Sequence, residues 1–441
     1  MTIAYDCTAL SPTSPTISPF IIEAANARRT IRLGLLGLGR VGSAVARQAG
    51  PSVPGWNIEV TCALVREPGR RRRAPAVVLT TDPEAVFGSR PDVIVEVLGG
   101  LEPARTLVLA AIARGIPVVT ANKSLLAHHG EEIFEAAAAR RVPVRHEASV
   151  IAGVPFLGAF AQRPHAARQS SLVGIVNGTT HFVLSQMEDG TGDYASALFE
   201  AQRRGYAEPD PSKDVRGIDA VEKLAILIRQ FGAQRIEPSA IETAGIESLT
   251  PLDLLHARAL GGTIKPIALA EGLDARTSTL AAFAGPAFVP SHHPLARLTG
   301  TLNGICLRDV AGSHLCFTGP GAGPDVTAVT VLDDVVETAA STGAFAVSPA
   351  PRRVVTAPST TWLLGLTGEA SLPPLADITA LLGSHGVWTS RTSARERHEA
   401  GESQAVLTHA CSRPRIERAA AALTGATGAA TRFFRALEPL G

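Results

Sequence analysis

Residues 31–50 read IRLGLLGLGRVGSAVARQAG and contain the pattern that decides the fold. The apolar run of residues 31–36 predicts a buried strand, and residues 43–48 predict a helix. The turn between them carries three glycines in the spacing G-x-G-x-x-G, namely Gly37, Gly39 and Gly42. The first permits the turn, the second lets the backbone approach a pyrophosphate, and the third lets the helix pack on the strand. We therefore expect a Rossmann-like dinucleotide site, with Arg40 and Val41 at the helix N-terminus that faces the phosphates.

The residues after the second predicted strand indicate which dinucleotide binds. That strand is IEVTCALVRE, residues 58–67, and an NAD enzyme usually places an acid at its end. Here Arg66 and the arginine run of residues 70–73 follow instead. Arginine suits the 2′-phosphate of NADP, so we prefer NADP over NAD. A solvated loop is the alternative explanation for these arginines.

Residues 91–130 continue the alternation of strand and helix. Residues 93–97 predict a parallel strand whose apolar run is interrupted only by Glu96, and residues 118–120 predict the next one. Ligands of open α/β sheets bind at the carboxyl ends of such strands. The candidate cofactor contacts there are Gly99, Gly100 and Lys123. A helix-flanking surface charge is the alternative for the lysine.

Residues 205–232, GYAEPDPSKDVRGIDAVEKLAILIRQFG, predict an irregular acidic loop followed by a helix. Pro209 and Pro211 forbid a continuous helix in the loop. From residue 217 onward, apolar residues recur at helical spacing and predict one buried face: Ile218, Val221, Ala225 and Ile228. The stretch thus brings several charges to one region, among them Glu208, Asp210, Asp214, Asp219 and Lys223.

Lysine is rare in this chain and therefore informative. Only four of the 41 basic residues are lysines: Lys123, Lys213, Lys223 and Lys265. A retained lysine indicates ammonium chemistry, because arginine stays charged and is a poor proton donor. Asp219 and Lys223 are four residues apart on the predicted helix and are our candidates for a catalytic pair. An ordinary exposed helix pair is the alternative.

Length and composition limit the remaining possibilities. The 441 residues suggest about three domains, and 45% hydrophobic residues are ample for packed cores. A net charge of +1 gives no reason to expect a nucleic acid or membrane partner. The five cysteines are odd in number and form no C-x-x-C, so we expect free thiols in a reducing cytosol. Residues 1–29 lack a signal-peptide pattern and predict a flexible arm of a cytoplasmic protein.

The loop and helix of residues 205–223 resemble the substrate signature of homoserine dehydrogenases. That signature is G-[YF]-x-E-x-[DP]-P-x-x-D-x-x-G-x-D-x-x-x-K, and every fixed position matches. The resemblance spans residues 31–340 and, more loosely, residues 360–435. It implies NAD(P)-dependent interconversion of L-homoserine and L-aspartate 4-semialdehyde in threonine and methionine biosynthesis. Two alternatives are a dehydrogenase for another amino-acid semialdehyde and a nucleotide- and amino-acid-sensing regulator without catalysis.

The resemblance also implies roles for individual residues. Lys223 would protonate the aldehyde oxygen, oriented by Asp219, while Glu208 and Asp214 would bind the substrate amino group. The motif N-G-T-T precedes a predicted helix that a threonine could cap, and it would hold the substrate carboxylate; it comprises Asn177, Gly178, Thr179 and Thr180. In the glycine turn of residues 319–328, Gly321 would touch the nicotinamide end of the cofactor.

A cation site and a dimer are implied in the same way. Residues 142–157 resemble the family turn whose carbonyl groups hold a monovalent cation such as Na⁺, with Ile151 in place of the usual glycine. The candidate ligands are Glu147, Val150, Ala152 and Val154. HPLARLTGTLNGICL, residues 293–307, resembles a segment that helps to form the family dimer.

The expected fold is α/β, with a Rossmann-like domain (residues 30–150) and an α+β substrate and dimerisation domain with a mostly β sheet (residues 151–318). Residues 264–330 are predicted to be mostly strands. A return segment (residues 319–345) and a linker (residues 346–359) precede a C-terminal domain (residues 360–441). Its predicted βαββαβ order resembles ACT regulatory domains, which implies threonine as a possible effector. Its first strand–helix turn has Pro374 where that family usually has glycine.

Overall fold

The computed structural model describes the chain in several segments, and most of the predicted arm and linker lie outside them. The arm over residues 1–29 and the linker over residues 346–359 therefore stay predictions. The described segments are residues 29–51, 55–161, 168–190, 192–232, 235–274, 276–277, 279–340, 359–369, 371–398 and 401–437.

The first sheet is parallel and has six strands. They are β1 (Arg29–Leu36), β2 (Trp56–Leu64), β3 (Leu79–Thr80), β4 (Val93–Glu96), β5 (Val118–Thr120) and β6 (Val144–Arg145). The helices between them are α1 (Arg40–Gln48), α2 (Pro83–Gly88), α3 (Ala104–Ala113) and α4 (Lys123–Arg140). The strand order β3-β2-β1-β4-β5-β6 is that of dinucleotide-binding folds, so the Rossmann-like prediction is confirmed.

The second sheet is mixed and has eleven strands. Its first six strands are β7 (Gln169–Ile175), β8 (Glu242–Thr243), β9 (Gly262–Glu271), β10 (Ala281–Pro290), β11 (Leu302–Asp309) and β12 (His314–Pro320). The helices of this part are α5 (Leu157–Ala161), α6 (Gly178–Glu188), α7 (Tyr194–Arg203), α8 (Ser212–Val215), α9 (Ile218–Gly232) and α10 (Pro251–Ala259).

Helix α9 lies between the second sheet and helix α4 of the first domain. Val221, Ala225 and Ile228 are buried, as the helical spacing predicts. The prediction for Ile218 is wrong: its side chain is 42% exposed, because it is the first residue of the helix and adjoins the acidic loop. That loop is also less irregular than expected, since α8 forms within it directly after Pro211.

The chain then returns to the first domain by a helix. The sequence predicts mostly strands up to residue 330, but α11 (Pro324–Ala340) begins at Pro324. Proline is favourable in the first turn of a helix, and the buried residues Ala328, Val331 and Val335 recur at helical spacing. Helix α11 packs against α1, so residues after β12 complete the core of the nucleotide domain.

The C-terminal part has the predicted order of elements, with one additional short strand. Its elements are β13 (Thr361–Gly368), α12 (Leu375–Ser384), β14 (Thr389–Thr392), β15 (Glu396–His398), β16 (Gly401–Thr408), α13 (Arg413–Thr427) and β17 (Ala430–Ala436). The last strand, β17, pairs in parallel with β10 and antiparallel with β13, so the eleven-stranded sheet runs through both parts. At this junction the buried Arg435 lies 3.0 Å from Glu242.

The prediction that all cysteines are free thiols is wrong for one pair. Cys306 and Cys316 lie directly opposite each other on β11 and β12 and form a disulfide. Antiparallel pairing brings these residues together, with their Cα atoms 4.1 Å apart. Cys62 and Cys411 are free and buried.

No helix within the described ranges is both long enough and apolar enough to cross a membrane.

Candidate active site

The glycine turn forms an open backbone cradle at the start of α1. Gly37 has φ +108°, which favours glycine, and a Cβ at Gly42 would lie 2.2 Å from the Gly37 carbonyl oxygen. A Cβ at Gly39 would have no atom within 4 Å. The first and third glycines are therefore required by packing, whereas the second leaves space beside the helix N-terminus. This geometry fits a pyrophosphate of a nicotinamide dinucleotide.

The arginines that follow β2 lie at the surface, at the edge of the parallel sheet that carries the glycine cradle. Arg66 is exposed just beyond the end of β2, and Arg40 is exposed at the start of α1. The guanidinium of Arg72 donates hydrogen bonds to the carbonyl oxygens of Glu67 and Arg70, which ties the loop together. The loop therefore presents positive charge where a ribose phosphate could bind.

Glu96 organises the ends of β4 and β5. Its fully buried carboxylate accepts hydrogen bonds from Thr120 Oγ1 at 2.5 Å, from the Leu98 amide at 2.9 Å and from Asn122 Nδ2 at 3.3 Å. Burial raises the pKa of Glu96, while these hydrogen bonds oppose the shift. Sequence reasoning interpreted Glu96 only as an interruption of the strand and missed this function.

Asn122 connects the glycine loop after β4 to helix α4. Its Nδ2 donates to the Gly100 carbonyl at 2.8 Å, and its Oδ1 accepts from the Leu125 amide as the N-cap of α4. Gly99 and Gly100 both have positive φ and are exposed. These contacts fix Lys123, the first residue of α4, at the same edge of the sheet as the predicted cofactor contacts.

Asp219 forms ion pairs with two of the lysines for which the sequence predicts a function. Lys123 Nζ lies 2.7 Å from its Oδ1, and Lys223 Nζ lies 2.9 Å from its Oδ2. Lys223 also donates to the Val176 carbonyl at 2.6 Å. Asp219 is 3% exposed and Lys223 8% exposed, so the alternative of an ordinary surface pair is wrong.

Charge within this cluster is set by burial and by ion pairing together. Burial would raise the pKa of Asp219, but Lys223 and Lys123 outweigh it and hold that pKa below its ordinary value. In turn, Asp219 raises the pKa of Lys123. Asp219 is therefore ionised at neutral pH and forms an ion pair with each of the two lysines.

The turn before α6 meets the cluster through Asn177. Its Nδ2 donates to Asp219 Oδ2 at 2.8 Å and to Asp214 Oδ1 at 2.7 Å. Its Oδ1 accepts from the Thr180 amide, so Asn177 caps α6, and the expected threonine cap is wrong. Burial, followed by repulsion from Asp219, raises the pKa of Asp214. Asn177 therefore positions both carboxylates.

The predicted substrate-binding residues do not all lie close to the Asp219 cluster. Gly178 starts α6, and Thr179 Oγ1 donates to the Tyr206 carbonyl at 2.8 Å. Glu208 is exposed on the acidic loop, whereas Asp214 adjoins Asn177. A small cavity behind this turn is lined by Asn177, Thr180, Asp214, Ala244 and Ile267, among others.

The turns around Gly321 and Ala152 are hydrogen-bonded to each other. The Ala152 amide donates to the Gly321 carbonyl at 3.2 Å, and the Ala152 carbonyl accepts from Thr330 Oγ1. A Cβ at Gly321 would lie 2.3 Å from the buried Asn303 amide, so only glycine fits there. The predicted nicotinamide turn therefore lies close against Asn303 of β11.

The proposed cation turn is buried, but its acid has another function. Val150, Ala152 and Val154 are buried around residues 150–154. The Glu147 carboxylate accepts hydrogen bonds from the amides of Phe156, Leu157 and Gly158, which begin α5. The Glu147 carboxylate thus holds the start of α5, and the main-chain carbonyl of Glu147 itself accepts a hydrogen bond from the Val150 amide at 3.5 Å. Among the described residues, no cluster of His, Cys, Asp or Glu side chains suits a metal ion.

Comparison with known proteins agrees with this arrangement. Two family models match: "Homoserine dehydrogenase, NAD binding domain" over residues 37–147 and "Homoserine dehydrogenase" over residues 155–336. A homoserine dehydrogenase of Synechocystis is 40% identical over 316 residues, covering 70% of this chain and 73% of the relative. That of Corynebacterium glutamicum is 34% identical over 396 residues, covering 86% and 89%.

A solved structure extends the similarity to nearly the whole chain. The homoserine dehydrogenase of Thiobacillus denitrificans has a TM-score of 0.81 and 33% identity, and the match covers 94% of this chain and 100% of that one. The similarity therefore includes the C-terminal part. With the glycine cradle, the cluster around Asp219 and these relatives taken together, the chain belongs to the homoserine dehydrogenase family of oxidoreductases.

Proposed function

We propose that this protein interconverts L-homoserine and L-aspartate 4-semialdehyde, with the ammonium group of Lys223 as proton donor to the substrate oxygen. A bound nicotinamide supplies the hydride for aldehyde reduction and accepts it in the reverse direction. The observation that carries this assignment is the environment of Lys223, which is nearly buried and held by Asp219 and the Val176 carbonyl. These two partners engage two of its three N–H bonds, and the third is suited to a substrate oxygen.

The chemistry requires a proton at that position. The aldehyde oxygen gains negative charge as the carbon is reduced, so a nearby ammonium group lowers the barrier by charge stabilisation and by proton transfer. Asp219 keeps the amine oriented, and it accepts from Lys123 at the same time. In alcohol oxidation the same amine, once neutral, removes the hydroxyl proton.

Substrate binding is assigned to the groups next to this pair. Asp214 and Glu208 supply negative charge for the substrate amino group, and Asp214 is held by Asn177. The start of α6, from Asn177 to Thr180, supplies main-chain amide donors for the substrate carboxylate, because the hydroxyl groups of Thr179 and Thr180 already donate to Tyr206 and Asn177. A semialdehyde without the amino group would leave Asp214 unpaired, which disfavours other substrates.

The cofactor assignment rests on the glycine cradle and the arginine loop. The cradle at Gly37, Gly39 and Gly42 would hold the pyrophosphate, and Lys123, Gly99, Gly100 and Gly321 would border the nicotinamide end. Arg66 and Arg40 are exposed at the ribose end, which supports NADP as the preferred cofactor. Affinities for NADPH and NADH, compared in the wild type and in Arg66→Ala, test this preference.

Three further features of the family are proposed for this chain. A Na⁺ ion would bind carbonyl groups of residues 147–154, a dimer would form through the region of β11, and threonine would act at the C-terminal part. For the ion, the Thr330 contact to Ala152 already uses one candidate carbonyl. The cytoplasmic location expected from the sequence stays a prediction.

The decisive experiment is a spectrophotometric assay at 340 nm (the absorbance of the reduced cofactor) with homoserine and each dinucleotide. The wild type should reduce NADP in a homoserine-dependent reaction. Lys223→Ala should lose most turnover while binding NADPH normally, and the exposed Lys213→Ala should match the wild type. Turnover of Lys223→Ala near the wild-type rate would refute Lys223 as donor. Nucleotide binding without any homoserine-dependent reaction would favour the alternative of a regulator.

A further inference from the structure

Glu222 is a buried carboxylate to which the proposed reaction assigns no function. It directly precedes Lys223, but its side chain contacts helix α4 instead of the substrate turn. Ser124 Oγ donates to its Oε2 at 2.8 Å, and His128 Nε2 lies 3.6 Å from its Oε1. The Glu222 side chain is only 6% exposed. Ser124 and His128 are one helical turn apart, so this carboxylate packs against one face of α4.

The position of Glu222 relates it to the charged cluster. Asp219 and Glu222 are three residues apart and share one face of α9. Lys123 and Ser124 are the first two residues of α4. The two helices are therefore joined at two successive points, by Lys123 with Asp219 and by Ser124 with Glu222. A shift of the first turn of α4 would disturb both contacts.

Glu222 also affects the charge of Lys123. Asp219 is the main group that raises the pKa of this lysine, and Glu222 and Asp214 act in the same direction. A buried carboxylate is poorly screened by salt, so its influence on a neighbouring amine is stronger than that of a surface acid. Glu222 thus favours the ammonium form of Lys123 over the neutral amine.

We propose that Glu222 is a positioning residue, which holds the first turn of α4 against α9 and thereby keeps Lys123 in contact with Asp219. The residue links the nucleotide domain to the substrate domain beside the reacting atoms without touching the substrate. This inference rests on the proposed function, because it needs Lys123 and Asp219 to belong to the active site.

The test uses three variants and one matched control in the full-length protein. Glu222→Ala removes both charge and hydrogen bond, Glu222→Gln removes the charge but retains an acceptor for Ser124, and Ser124→Ala removes the donor. The control is Glu131→Gln, because Glu131 also lies on α4 and pairs with Arg235, which follows α9. Steady-state kinetics across pH, NADPH affinity and thermal unfolding are measured for each variant.

The expected results separate positioning from simple stabilisation. Glu222→Ala should lower kcat by about tenfold to hundredfold, the size of effect that a small misplacement of a catalytic group produces. Because Glu222 helps to raise the pKa of Lys123, the alkaline limb that loss of the Lys123 charge produces in the kcat/KM profile should move to lower pH. Glu222→Gln should show the same pH shift with a smaller loss of kcat, and Ser124→Ala a loss of kcat without the pH shift. Glu131→Gln should show neither effect.

Wild-type kcat and an unmoved alkaline limb in Glu222→Ala would overturn the inference. If that variant does not fold, Ser124→Ala and Glu222→Gln decide, and wild-type kinetics in both would overturn it equally. The proposed function fails separately, if Lys223→Ala retains turnover. An inactive Lys223→Ala combined with a fully active Glu222→Ala would reject only the role of Glu222.

Discussion

Lys123 Nζ and Asp219 Oδ1 lie 2.7 Å apart, although the two residues come from helices that pack on different sheets. Lys123 begins the helix after β5 of the parallel sheet, and Asp219 lies in the first turn of the helix packed on the mixed sheet. Because the second oxygen of Asp219 contacts Lys223, one buried anion holds two cations. The edge of the cofactor site and the proposed proton donor are thus fixed relative to each other.

Replacement of Asp219 by a neutral residue should lower both stability and activity. Asp219→Asn would leave two ammonium groups without their shared partner, and breaking a buried ion pair costs about 3–5 kcal/mol of stability. We also expect kcat/KM to fall at least about hundredfold. Urea unfolding and steady-state kinetics measure the two effects. Asp210→Asn, which changes an exposed acid on the loop before α9, should affect neither, and a fully active Asp219→Asn would contradict the assignment.

Two glycine variants should separate nucleotide binding from folding. Gly39→Ala places a methyl group in open space at a backbone angle that alanine tolerates, so stability should change little. The methyl group should nevertheless obstruct the phosphate and weaken NADPH binding at least about tenfold. Gly42→Ala would collide with the Gly37 carbonyl and should lower the melting temperature as well. Equal NADPH affinity of Gly39→Ala and wild type would argue against the cradle.

Acid should destabilise the protein through buried histidines. Burial is the main cause that lowers the pKa of His146, His181 and His293 to about 4. Their contribution to stability is complete above the unfolded pKa of about 6.5 and is lost as pH falls from there towards about 4. Urea unfolding at several pH values measures this slope.

His293→Asn is the informative variant for that titration. His293 Nδ1 accepts a hydrogen bond from the Leu295 amide, and asparagine can replace this cap without titrating near neutral pH. The slope of stability against pH should therefore become shallower. His409→Asn, at an exposed site, should leave the slope unchanged. A slope that is identical in His293→Asn and wild type would show that His293 does not contribute.

Asp334 should have the opposite pH dependence. Burial and repulsion from Glu147 raise its pKa well above the ordinary value. An acid with a raised folded-state pKa contributes stability at low pH that is lost as pH rises through that pKa. Asp334→Asn should thus become more stable relative to wild type as pH rises. Parallel urea titrations at acidic and neutral pH test this, with the exposed Asp325→Asn as control.

The disulfide should stabilise the protein by an amount that depends on the length of the loop that it closes. With a sequence separation of 10 between Cys306 and Cys316, loss of the bond should cost about 2–3 kcal/mol. Cys316→Ser and dithiothreitol-treated wild type should unfold at the same urea concentration, and dithiothreitol should not affect the variant further. A wild type that is insensitive to dithiothreitol would show that the bond is not formed in solution.

Local sequence patterns predicted the features that depend only on residues close together in the chain. The glycine spacing after β1 specified the nucleotide fold, and the four-residue spacing of Asp219 and Lys223 specified their contact on one helix. The contacts of Lys123 and Asn177 with Asp219 were not predictable in this way, since they depend on how α4 and α6 pack against α9. Glu96 and Glu222 were missed because buried carboxylates look like ordinary interruptions of apolar runs.

For two of the wrong predictions, the helix α11 and the disulfide, the sequence contained signals that pointed to the correct structure. Pro324 followed by an apolar spacing of three and four residues indicates a helix start, but the β-branched residues of α11 favour a strand by propensity. For the cysteines, two strands that each carry one cysteine can place both at one level when they pair antiparallel. Only the register of β11 and β12 determines that Cys306 faces Cys316.

The position of β17 between β10 and β13 has a consequence for truncation. The central sheet of the substrate domain is completed by a strand of the C-terminal part, so the substrate domain depends on that part for a complete sheet. A shortened protein that ends before β13 would expose the edge of β10 and leave Glu242 without Arg435. Such a fragment should aggregate by edge pairing, so the function of the C-terminal part is better tested by point substitution than by deletion.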